Sequence, residues 1–297
     1  MNTINFCKFH GFGNDYIVVE NAELQTVSDL SEFTREICHR NTGVGGDGIV
    51  VLEKLVGETA DYGCRIINPD GSEAGFSGNG TRCAVAYLYY KNLFSAENLK
   101  LKTKSGVKNY QLLKREKNTF WFTAELGKPK FDLPGNRAKD LPEQFQGLPV
   151  TTNIMLPGLG IVVKDFFFVD VGNPVTGVFV EDFNEHDWRL IGQTLENLTS
   201  MFPEKTNVVF IKIIDEKNIE IRIWERGAGE TASSGTCSIA AAVASAYKNK
   251  TGREVSVHAP GGTTEAVWRE DGEMLITGRA DLAFCGEYTS VKSEYKN

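Results

Sequence analysis

The chain has 297 residues, with 32 lysines and arginines against 39 aspartates and glutamates, and therefore a formal net charge of −7. Hydrophobic residues make up 41% of it and charged residues 24%, which excludes a generally disordered protein. The acidic balance argues against a dedicated nucleic-acid-binding protein, because such proteins carry a basic surface. The length corresponds to two domains or one large one.

The cysteines and the apolar segments bear on the cellular compartment. No CxxC pair occurs, so we expect neither a disulfide framework nor a zinc ribbon, but buried free thiols in a reducing cytoplasm. The N-terminal residues contain no apolar signal-peptide core, and no run of about 20 apolar residues follows. We therefore expect a cytoplasmic protein without a membrane segment. The six cysteines are Cys7, Cys38, Cys64, Cys83, Cys237 and Cys285.

Short β-branched or aromatic segments bounded by turn residues predict many strands, and helical patterns are fewer. The stretch 131–148 is rich in proline, glycine and charge, which is typical of a linker or long loop between two halves. Together these patterns predict a mixed α+β fold. The predicted strands are 16–19, 48–52, 119–122, 161–163, 166–169, 208–211 and 219–223, and the predicted helices are 30–38, 82–91, 188–195 and 239–248.

One short pattern occurs twice. Residues 77–80 (SGNG) lead into an Ala-rich helix, and residues 234–237 (SGTC) lead into another. This repetition indicates two pseudo-symmetric halves. Each turn can simply be a helix N-cap, since Ser, Asn and Thr are favoured there. A helix N-terminus also presents free N–H groups and the positive end of the dipole, so the two turns together could hold one anionic substrate.

Three other patterns do not predict a nucleotide-binding, nucleophilic or metal-binding site. Residues 43–48 match the glycine spacing of a dinucleotide-binding loop, but a strand follows where that motif needs a helix. Residues 75–79 lack the last glycine of a hydrolase nucleophile elbow. The histidines show no metal-ligand spacing, so we expect no bound metal. They are His10, His39, His186 and His258.

A set of ordered motifs resembles the diaminopimelate epimerases, a family of cofactor-independent amino-acid epimerases. The match runs nearly from end to end of the chain. It comprises residues 8–16 (KFHGFGNDY), 41–48 (NTGVGGDG), 68–73 (NPDGSE), 77–83 (SGNGTRC), 172–174 (GNP), 202–208 (FPEKTNV), 225–231 (ERGAGET), 260–262 (PGG) and 277–280 (TGRA).

The resemblance implies a fold. It consists of two structurally similar lobes, each a β-barrel-like sheet around a central helix, with the active site in the cleft between them. We accordingly expect an N-terminal lobe over residues 1–130 and a C-terminal lobe over residues 131–297. The resemblance leaves room for residues 280–297 to pack back onto the N-terminal lobe.

The resemblance also implies a two-base proton transfer at the α-carbon of an amino acid, without pyridoxal phosphate or metal. In the family this isomerase reaction converts LL-diaminopimelate to the meso form in lysine biosynthesis. The developing carbanion must be stabilised by hydrogen bonds and dipoles directed at the substrate carboxylate. We therefore expect no cofactor and a small amino-acid substrate as partner, with no nucleic acid or membrane; a homodimer is left open.

The chain departs from the family at both catalytic positions, where the family has cysteines and the motif register places Ser77 and Ser234. A helix N-terminus can ionise a thiol, whereas a hydroxyl is a far weaker acid, and no His or Lys lies in either motif to act as its base. Cys83 matches a second, non-catalytic cysteine, Cys237 replaces a usual glycine, and Val175 replaces a histidine.

Three explanations of the serines remain open. The chain is an engineered Cys-to-Ser variant, or a natural relative that moves a different proton, such as an isomerase of an unsaturated acid, or an amino-acid-binding protein without turnover. The resemblance favours a substrate with two charged ends, and an arginine can pair with a distal carboxylate through two hydrogen bonds. We predict an amino-acid epimerase with Ser77 and Ser234 as acid/base groups. By motif matching, the resemblance implies the following substrate-binding residues: Asn68, Asn173, Asn207 and Arg226 at the distal end, and Asn14, Gly78, Asn79, Glu225, Gly235 and Thr236 at the reacting centre.

Overall fold

The structure is a computed structural model that describes residues 3–131, 151–156 and 159–289. The predicted linker over 131–148 lies outside the described residues, apart from Phe131. The helices are α1 (Leu30–Cys38), α2 (Gly78–Tyr90), α3 (Trp188–Glu196) and α4 (Gly235–Tyr247). The strands are β1 (Thr3–Gly11), β2 (Asn14–Glu20), β3 (Ile49–Lys54), β4 (Tyr62–Ile67), β5 (Glu73–Ala74), β6 (Asn98–Thr103), β7 (Gly106–Glu116), β8 (Thr119–Gly127), β9 (Thr151–Met155), β10 (Val162–Asp170), β11 (Pro174–Phe179), β12 (Asn207–Asp215), β13 (Asn218–Glu225), β14 (Gly229–Thr231), β15 (Glu254–Ala259), β16 (Gly262–Trp268) and β17 (Met274–Thr289).

The predicted helices are all present, but the two that follow the Ser-Gly turns begin four residues earlier than predicted. α2 begins at Gly78 and α4 at Gly235. Glycine is a weak helix former, so the glycine at the start of each helix does not by itself predict helical structure. The serine before it nevertheless accepts a free N–H of the first turn and so stabilises the helix start. The predicted strands 161–163 and 166–169 form the single strand β10, which has a register shift in its pairing with β9.

The contacts divide the chain into two compact units, Met1–Phe122 with Arg279–Asn297, and Thr123–Gly278. In the first unit, β1 pairs antiparallel with β2, β2 parallel with β3, β3 antiparallel with β4, β4 parallel with β6, and β6 antiparallel with β7. The parallel pairs need crossover connections. Helix α1 lies in the connection from β2 to β3, and α2 in that from β4 to β6.

The second unit has the same topology. Strand β10 pairs antiparallel with β11, β11 parallel with β12, β12 antiparallel with β13, β13 parallel with β15, and β15 antiparallel with β16. Helix α3 connects β11 to β12, and α4 lies between β13 and β15. The repeated pattern in the sequence therefore corresponds to a repeated structure, and the predicted α+β fold with two pseudo-symmetric lobes is confirmed.

Helices α2 and α4 are the central helices of their units. Every residue from Gly78 to Tyr89 is buried, and α2 contacts β1, β2, β3 and β4. Every residue from Gly235 to Ser245 is buried, and α4 contacts β11, β12, β15 and β16. Alanines at 84, 86, 240–242 and 244 allow the surrounding strands to approach these helices closely. The sheet of each unit thus fixes the position of one helix N-terminus.

Helices α1 and α3 are amphipathic and begin at aspartate N-caps. The side chain of Asp29 accepts two N–H groups of α1, and that of Asp187 accepts two N–H groups of α3. An aspartate is favoured there because it satisfies free donors and complements the helix dipole. No helix among the described residues is long and apolar enough to cross a membrane.

The expectation of six free thiols is wrong for two of them. Cys7 and Cys285 form a disulfide, while Cys38, Cys64, Cys83 and Cys237 are free and buried, as predicted. The bonded pair is 278 residues apart in sequence, but antiparallel pairing of β1 with β17 places the two residues directly opposite each other. Cysteine spacing cannot reveal this pair, because it is created by contact between the two ends of the chain.

Candidate active site

Ser77 is the N-cap of α2. Its backbone is extended, with φ −140° and ψ 121°, and its Oγ accepts the N–H of Gly80 at 3.1 Å. The same Oγ lies 2.8 Å from the hydroxyl of Tyr16, which is on strand β2. Gly78 and Asn79 follow within the first turn, so their N–H groups lie at the positive end of the helix dipole.

Ser234 is the N-cap of α4 and has nearly the same local geometry. Its backbone has φ −146° and ψ 121°, and its Oγ accepts the N–H of Cys237 at 3.5 Å. The neighbouring hydroxyl here belongs to Thr236, at 3.3 Å. Gly235 and Thr236 form the first turn and are buried. The two predicted acid/base serines therefore occupy equivalent positions in the two units, but their hydroxyl partners differ.

A directional chain of hydrogen bonds runs behind the first serine. The guanidinium of Arg82 donates to the Asn79 side-chain carbonyl, and Asn79 Nδ2 donates to Asn14 Oδ1 at 3.1 Å. Asn14 Nδ2 then donates to Asp47 Oδ2 at 2.8 Å. Arginine can only donate and a carboxylate can only accept, so the two ends of this chain fix which way each asparagine amide points. We call it the Arg82–Asp47 chain.

An ion cluster anchors the carboxylate end of that chain. Arg40 Nη2 lies 2.6 Å from Asp47 Oδ1 and 2.8 Å from Asp15 Oδ1, and Lys8 Nζ lies 2.8 Å from Asp15 Oδ2. Burial disfavours the Asp15 carboxylate, but hydrogen bonds from Arg40 and Lys8 outweigh this and lower its pKa to about 2. Asp15 is consequently charged at neutral pH. Both aspartates accept hydrogen bonds in fixed positions.

The buried cysteines near the two serines cannot take over the role of a catalytic thiolate. Cys83 and Cys237 are fully buried in α2 and α4. Burial raises the pKa of the Cys83 thiol, and burial together with the charge of Glu225 raises that of Cys237. Both side chains are therefore protonated at neutral pH. The candidate acid/base groups at these two helix N-termini are therefore the serine hydroxyls predicted from the sequence.

In the second unit, three of the predicted binding residues lie around one turn. Asn207 is 5% exposed; its Nδ2 donates to the carbonyl of Pro174 at 3.0 Å, and its Oδ1 accepts the N–H of Arg226 at 3.0 Å. The guanidinium of Arg226 is exposed and donates to the carbonyl of Glu204 at 2.7 Å. Glu225 ends β13 immediately before Arg226. The arrangement presents a cation on a backbone fixed by a buried asparagine.

A buried carboxylate that sequence reasoning missed supports the same turn. Glu196, at the end of α3, accepts the N–H of Gly227 at 3.0 Å and the indole N–H of Trp224 at 2.8 Å, and pairs with Lys205 at 3.4 Å. Burial disfavours its charge, but these contacts outweigh it and lower its pKa. Its helical spacing from Trp188 and Leu195 places it on the buried face of α3. Only the fold, however, reveals that it holds the turn after β13.

Two of the predicted binding residues are engaged in turns of their own. Asn68 Nδ2 donates to Ser72 Oγ at 3.0 Å, and its carbonyl accepts the N–H of Gly71, whose φ of +86° requires glycine. The carbonyl of Asn173 accepts the N–H of Val171 at 3.2 Å in the turn between β10 and β11. Both side chains are half-buried. Each residue therefore stabilises a turn, and its side chain remains accessible enough to contact a ligand.

The structure thus brings the predicted residues together in two sets. The first set lies around the first turn of α2 and comprises Ser77, Gly78, Asn79 and Asn14. The second is Asn207 and Arg226, which are hydrogen-bonded to each other. Ser234, Gly235 and Thr236 are consecutive in sequence and form the start of α4. Among the described residues no group of three or more His, Cys, Asp or Glu could hold a metal ion. Residues with clear contacts that the sequence did not predict are Tyr16, Asp47, Arg82 and Glu196.

Comparison with known sequences identifies relatives over nearly the whole chain. A family model described as diaminopimelate epimerase matches residues 6–131 and 167–283. The diaminopimelate epimerase of Pelotomaculum thermopropionicum is 35% identical over 286 residues, covering 96% of this chain and 99% of that protein. The diaminopimelate epimerase of Phocaeicola vulgatus is 38% identical over 286 residues, covering 96% of this chain and 98% of that protein.

Comparison with solved structures shows the fold. A hydroxyproline epimerase from Agrobacterium vitis superposes with a TM-score of 0.69 at 14% identity, covering 97% of this chain and 91% of that one. A phenazine biosynthesis protein of the PhzF family from Bacillus anthracis has a TM-score of 0.67 at 21% identity, covering 98% and 100%. A methylitaconate-delta-isomerase has a TM-score of 0.63 at 12% sequence identity, and the match covers 99% of this chain and 99% of that one.

Proposed function

This chain belongs to the diaminopimelate epimerase family, and we propose that it is a cofactor-independent isomerase that inverts the α-carbon of an amino acid with two charged ends. The substrate we propose is diaminopimelate, converted between its LL and meso forms. The observation that carries the proposal is the equivalent N-cap position of Ser77 and Ser234 at the two central helices. One hydroxyl group per unit is then available for each half of a two-base proton transfer.

The chemistry demands stabilisation of a carbanion next to a carboxylate. An α-hydrogen is a very weak acid, so N–H groups aimed at the substrate carboxylate must bear much of the developing charge. The first turns of α2 and α4 supply such donors, and Asn14 and Asn79 are held by the Arg82–Asp47 chain beside the first of them. Gly78 and Gly235 have no side chain that would keep a ligand away from the backbone.

The distal end of the substrate calls for a different receptor. Arg226 carries an exposed guanidinium on a backbone held by Asn207 and Glu196, and a guanidinium pairs with a carboxylate through two parallel hydrogen bonds. We propose that this arginine selects amino acids whose side chain ends in a carboxylate. The proposal predicts weaker binding of substrates that lack the distal charge.

A second candidate is an amino-acid-binding protein without turnover. It is favoured by one observation, namely that serine stands at both positions where the family resemblance implies cysteine. A hydroxyl is a much weaker acid than a thiol, so replacement of both groups lowers proton-transfer rates while leaving the binding residues in place.

The test is incubation in heavy water with LL- and meso-diaminopimelate and a panel of other amino acids, followed by loss of the α-proton NMR signal. The epimerase proposal expects deuterium incorporation into diaminopimelate and interconversion of its isomers. Tight binding by calorimetry without exchange in any compound would reject the enzyme and support the binding protein. Exchange confined to an unsaturated acid would support the related isomerase.

A companion experiment introduces Ser77→Cys and Ser234→Cys together. If the serines limit an otherwise intact epimerase, α-proton exchange should rise by orders of magnitude, because thiols at helix N-termini ionise near neutral pH. An unchanged rate would show that the rest of the site is not adapted to this reaction. The double Ser→Ala variant is the matched control, since it removes both acid/base groups without adding a thiol.

A further inference from the structure

We propose that Tyr16 is the proton partner of Ser77 and lets this hydroxyl act in the reaction. The inference rests on the proposed function and deepens it. The Tyr16 hydroxyl lies 2.8 Å from Ser77 Oγ, which is within hydrogen-bond distance for two hydroxyl groups. Neither histidine nor lysine occurs in the motif around Ser77, and in the part of the chain that the structure describes the phenol of Tyr16 is a titratable group within hydrogen-bond distance of that oxygen.

The position of the Tyr16 ring is fixed by the two motifs that border it. A β-carbon at Gly80 would lie 3.2 Å from Tyr16 Cε1, and one at Gly48 would lie 3.1 Å from the same atom. Both distances are tighter than ordinary packing, so the two glycines form a slot for the ring. Tyr16 itself is 7% exposed. A ring held this closely keeps its hydroxyl beside Ser77, and only the ring is needed to fill the slot.

The hydrogen bonds of Ser77 leave its own proton available. A serine hydroxyl has one donor and two acceptor sites. One acceptor site takes the N–H of Gly80 at 3.1 Å, and the other takes Tyr16 O–H when the phenol is protonated. The serine proton can then point towards a ligand at the helix N-terminus. When Tyr16 is ionised, the direction reverses and Ser77 donates to the phenolate.

These two states give a balanced proton relay. In the acid direction, the Ser77 O–H bond breaks as its proton bonds to the substrate α-carbon, and the Tyr16 proton moves to Ser77 Oγ, leaving a tyrosinate. In the base direction, the α-hydrogen moves to Ser77 Oγ while the Ser77 proton moves to the tyrosinate. No electrons are gained or lost by the protein. Ser234 has Thr236 as its hydroxyl neighbour at 3.3 Å, so the relay belongs to one of the two serines.

The decisive variant is Tyr16→Phe, which keeps the ring in its slot and removes only the hydroxyl. Its control is Tyr110→Phe, because the buried Tyr110 hydroxyl donates to Thr81 in the first turn of the same helix, at 2.5 Å, without contacting Ser77 Oγ. We expect Tyr16→Phe to lower kcat for α-proton exchange by roughly 100-fold with little change in KM, as for loss of a positioned acid/base group. The control should stay within roughly threefold of the wild type.

The pH profile separates a proton role from a structural one. Replacing Tyr16 with a fluorotyrosine of lower phenol pKa should move the tyrosine-dependent limb of the kcat profile to lower pH. Tyr16→Phe should remove that limb, while Tyr110→Phe should keep it. Equal loss of activity in both phenylalanine variants, with unchanged pH profiles, would overturn the proposal.

A second measurement needs no substrate and keeps the relay testable if the proposed reaction fails. In Ser77→Cys, the thiol at position 77 replaces the serine oxygen, while the four native free cysteines are buried and Cys7 is bonded to Cys285. The pH dependence of its alkylation gives its pKa. Adding Tyr16→Phe should raise that pKa and cut the thiolate fraction at neutral pH about tenfold, because a hydrogen bond to the charged form favours it. An identical alkylation profile in both backgrounds would overturn the relay, whereas absence of exchange in the wild type would overturn only the proposed function.

Discussion

Arg82 offers a test of whether a buried charge serves stability or the orientation of the site. Its side chain is 1% exposed, and its Nε and Nη1 have no hydrogen-bond partner among the described residues. Burial lowers the pKa of the guanidinium, and the ring of Phe12 lies 5.7 Å from Cζ. The remaining nitrogen, Nη2, donates to Asn79. The cation therefore carries a desolvation cost that its contacts offset only in part.

The substitution Arg82→Met removes the charge and keeps most of the side-chain volume. Loss of the donor to the buried Asn79 carbonyl should cost about 1–3 kcal/mol, and loss of the cation–π contact about 1–2 kcal/mol. Removal of a poorly compensated buried charge should stabilise the folded state by about 1–4 kcal/mol, because the desolvation cost disappears. Mid-range values of about 3.5 kcal/mol lost and about 2.5 kcal/mol regained leave a decrease of about 1 kcal/mol in the free energy of unfolding.

The activity of the same variant should fall much further. Without the donor-only end of the Arg82–Asp47 chain, the Asn79 amide can rotate, and misorientation worth about 1–3 kcal/mol corresponds to a loss of roughly 5- to 150-fold in kcat/KM. Urea unfolding and α-proton exchange measure the two quantities, and ¹⁵N-asparagine NMR shows whether the side-chain amides of Asn79 and Asn14 change. Arg82→Lys, which remains donor-only, should recover part of the activity. Large destabilisation with wild-type kcat/KM in the folded fraction would refute the reasoning.

Three further outcomes are expected. Reduction of the Cys7–Cys285 disulfide, or Cys285→Ser, should lower the free energy of unfolding by up to about 5 kcal/mol on the chain-entropy argument for so long a loop, measured by urea titration; no change would contradict this. Asp15→Asn should destabilise the protein by about 2 kcal/mol above pH 4. Because the folded-state pKa of Asp15 is lowered to about 2, the stability contributed by its carboxylate is present above the unfolded value of 3.8, so the difference from wild type should shrink as pH falls towards 2. Glu196→Gln should raise KM more than it lowers kcat, because it leaves Trp224 Nε1 or the Gly227 N–H without its acceptor and loosens the turn that carries Arg226; an unchanged KM for a dicarboxylic substrate would contradict it.

The helix caps and the repeated topology can be predicted from the sequence, because their physical causes are local. Ser77 and Ser234 are recognisable as helix caps from the residue types that accept N–H groups and from the alanine runs behind them. The duplication of this pattern predicts the repeated topology. The sequence predicts the starts of α2 and α4 four residues too late, because glycine in the first turn is a weak helix former. The serine cap and the surrounding sheet determine the helix start there.

The parts that the sequence did not reveal depend on contacts between distant segments. Asp47 meets Asn14 only because β2 and β3 pair in parallel, and Cys7 meets Cys285 only because β17 returns to β1. The sequence predicts that Tyr16 lies in a strand, but its contact with Ser77 requires the packing of β2 against α2. Alternation along β2 could have indicated that Tyr16 shares a face with Asn14, since side chains two residues apart in a strand point to the same side.

The central claim is that the hydroxyl groups of Ser77 and Ser234 are the acid/base pair for inversion at an α-carbon. The most direct measurement compares deuterium incorporation at the α-carbon of diaminopimelate in heavy water for the wild type, Ser77→Ala and Ser234→Ala. The account predicts incorporation by the wild type and loss of isomer interconversion in both alanine variants, with substrate binding retained. Interconversion at the wild-type rate in either alanine variant would contradict it.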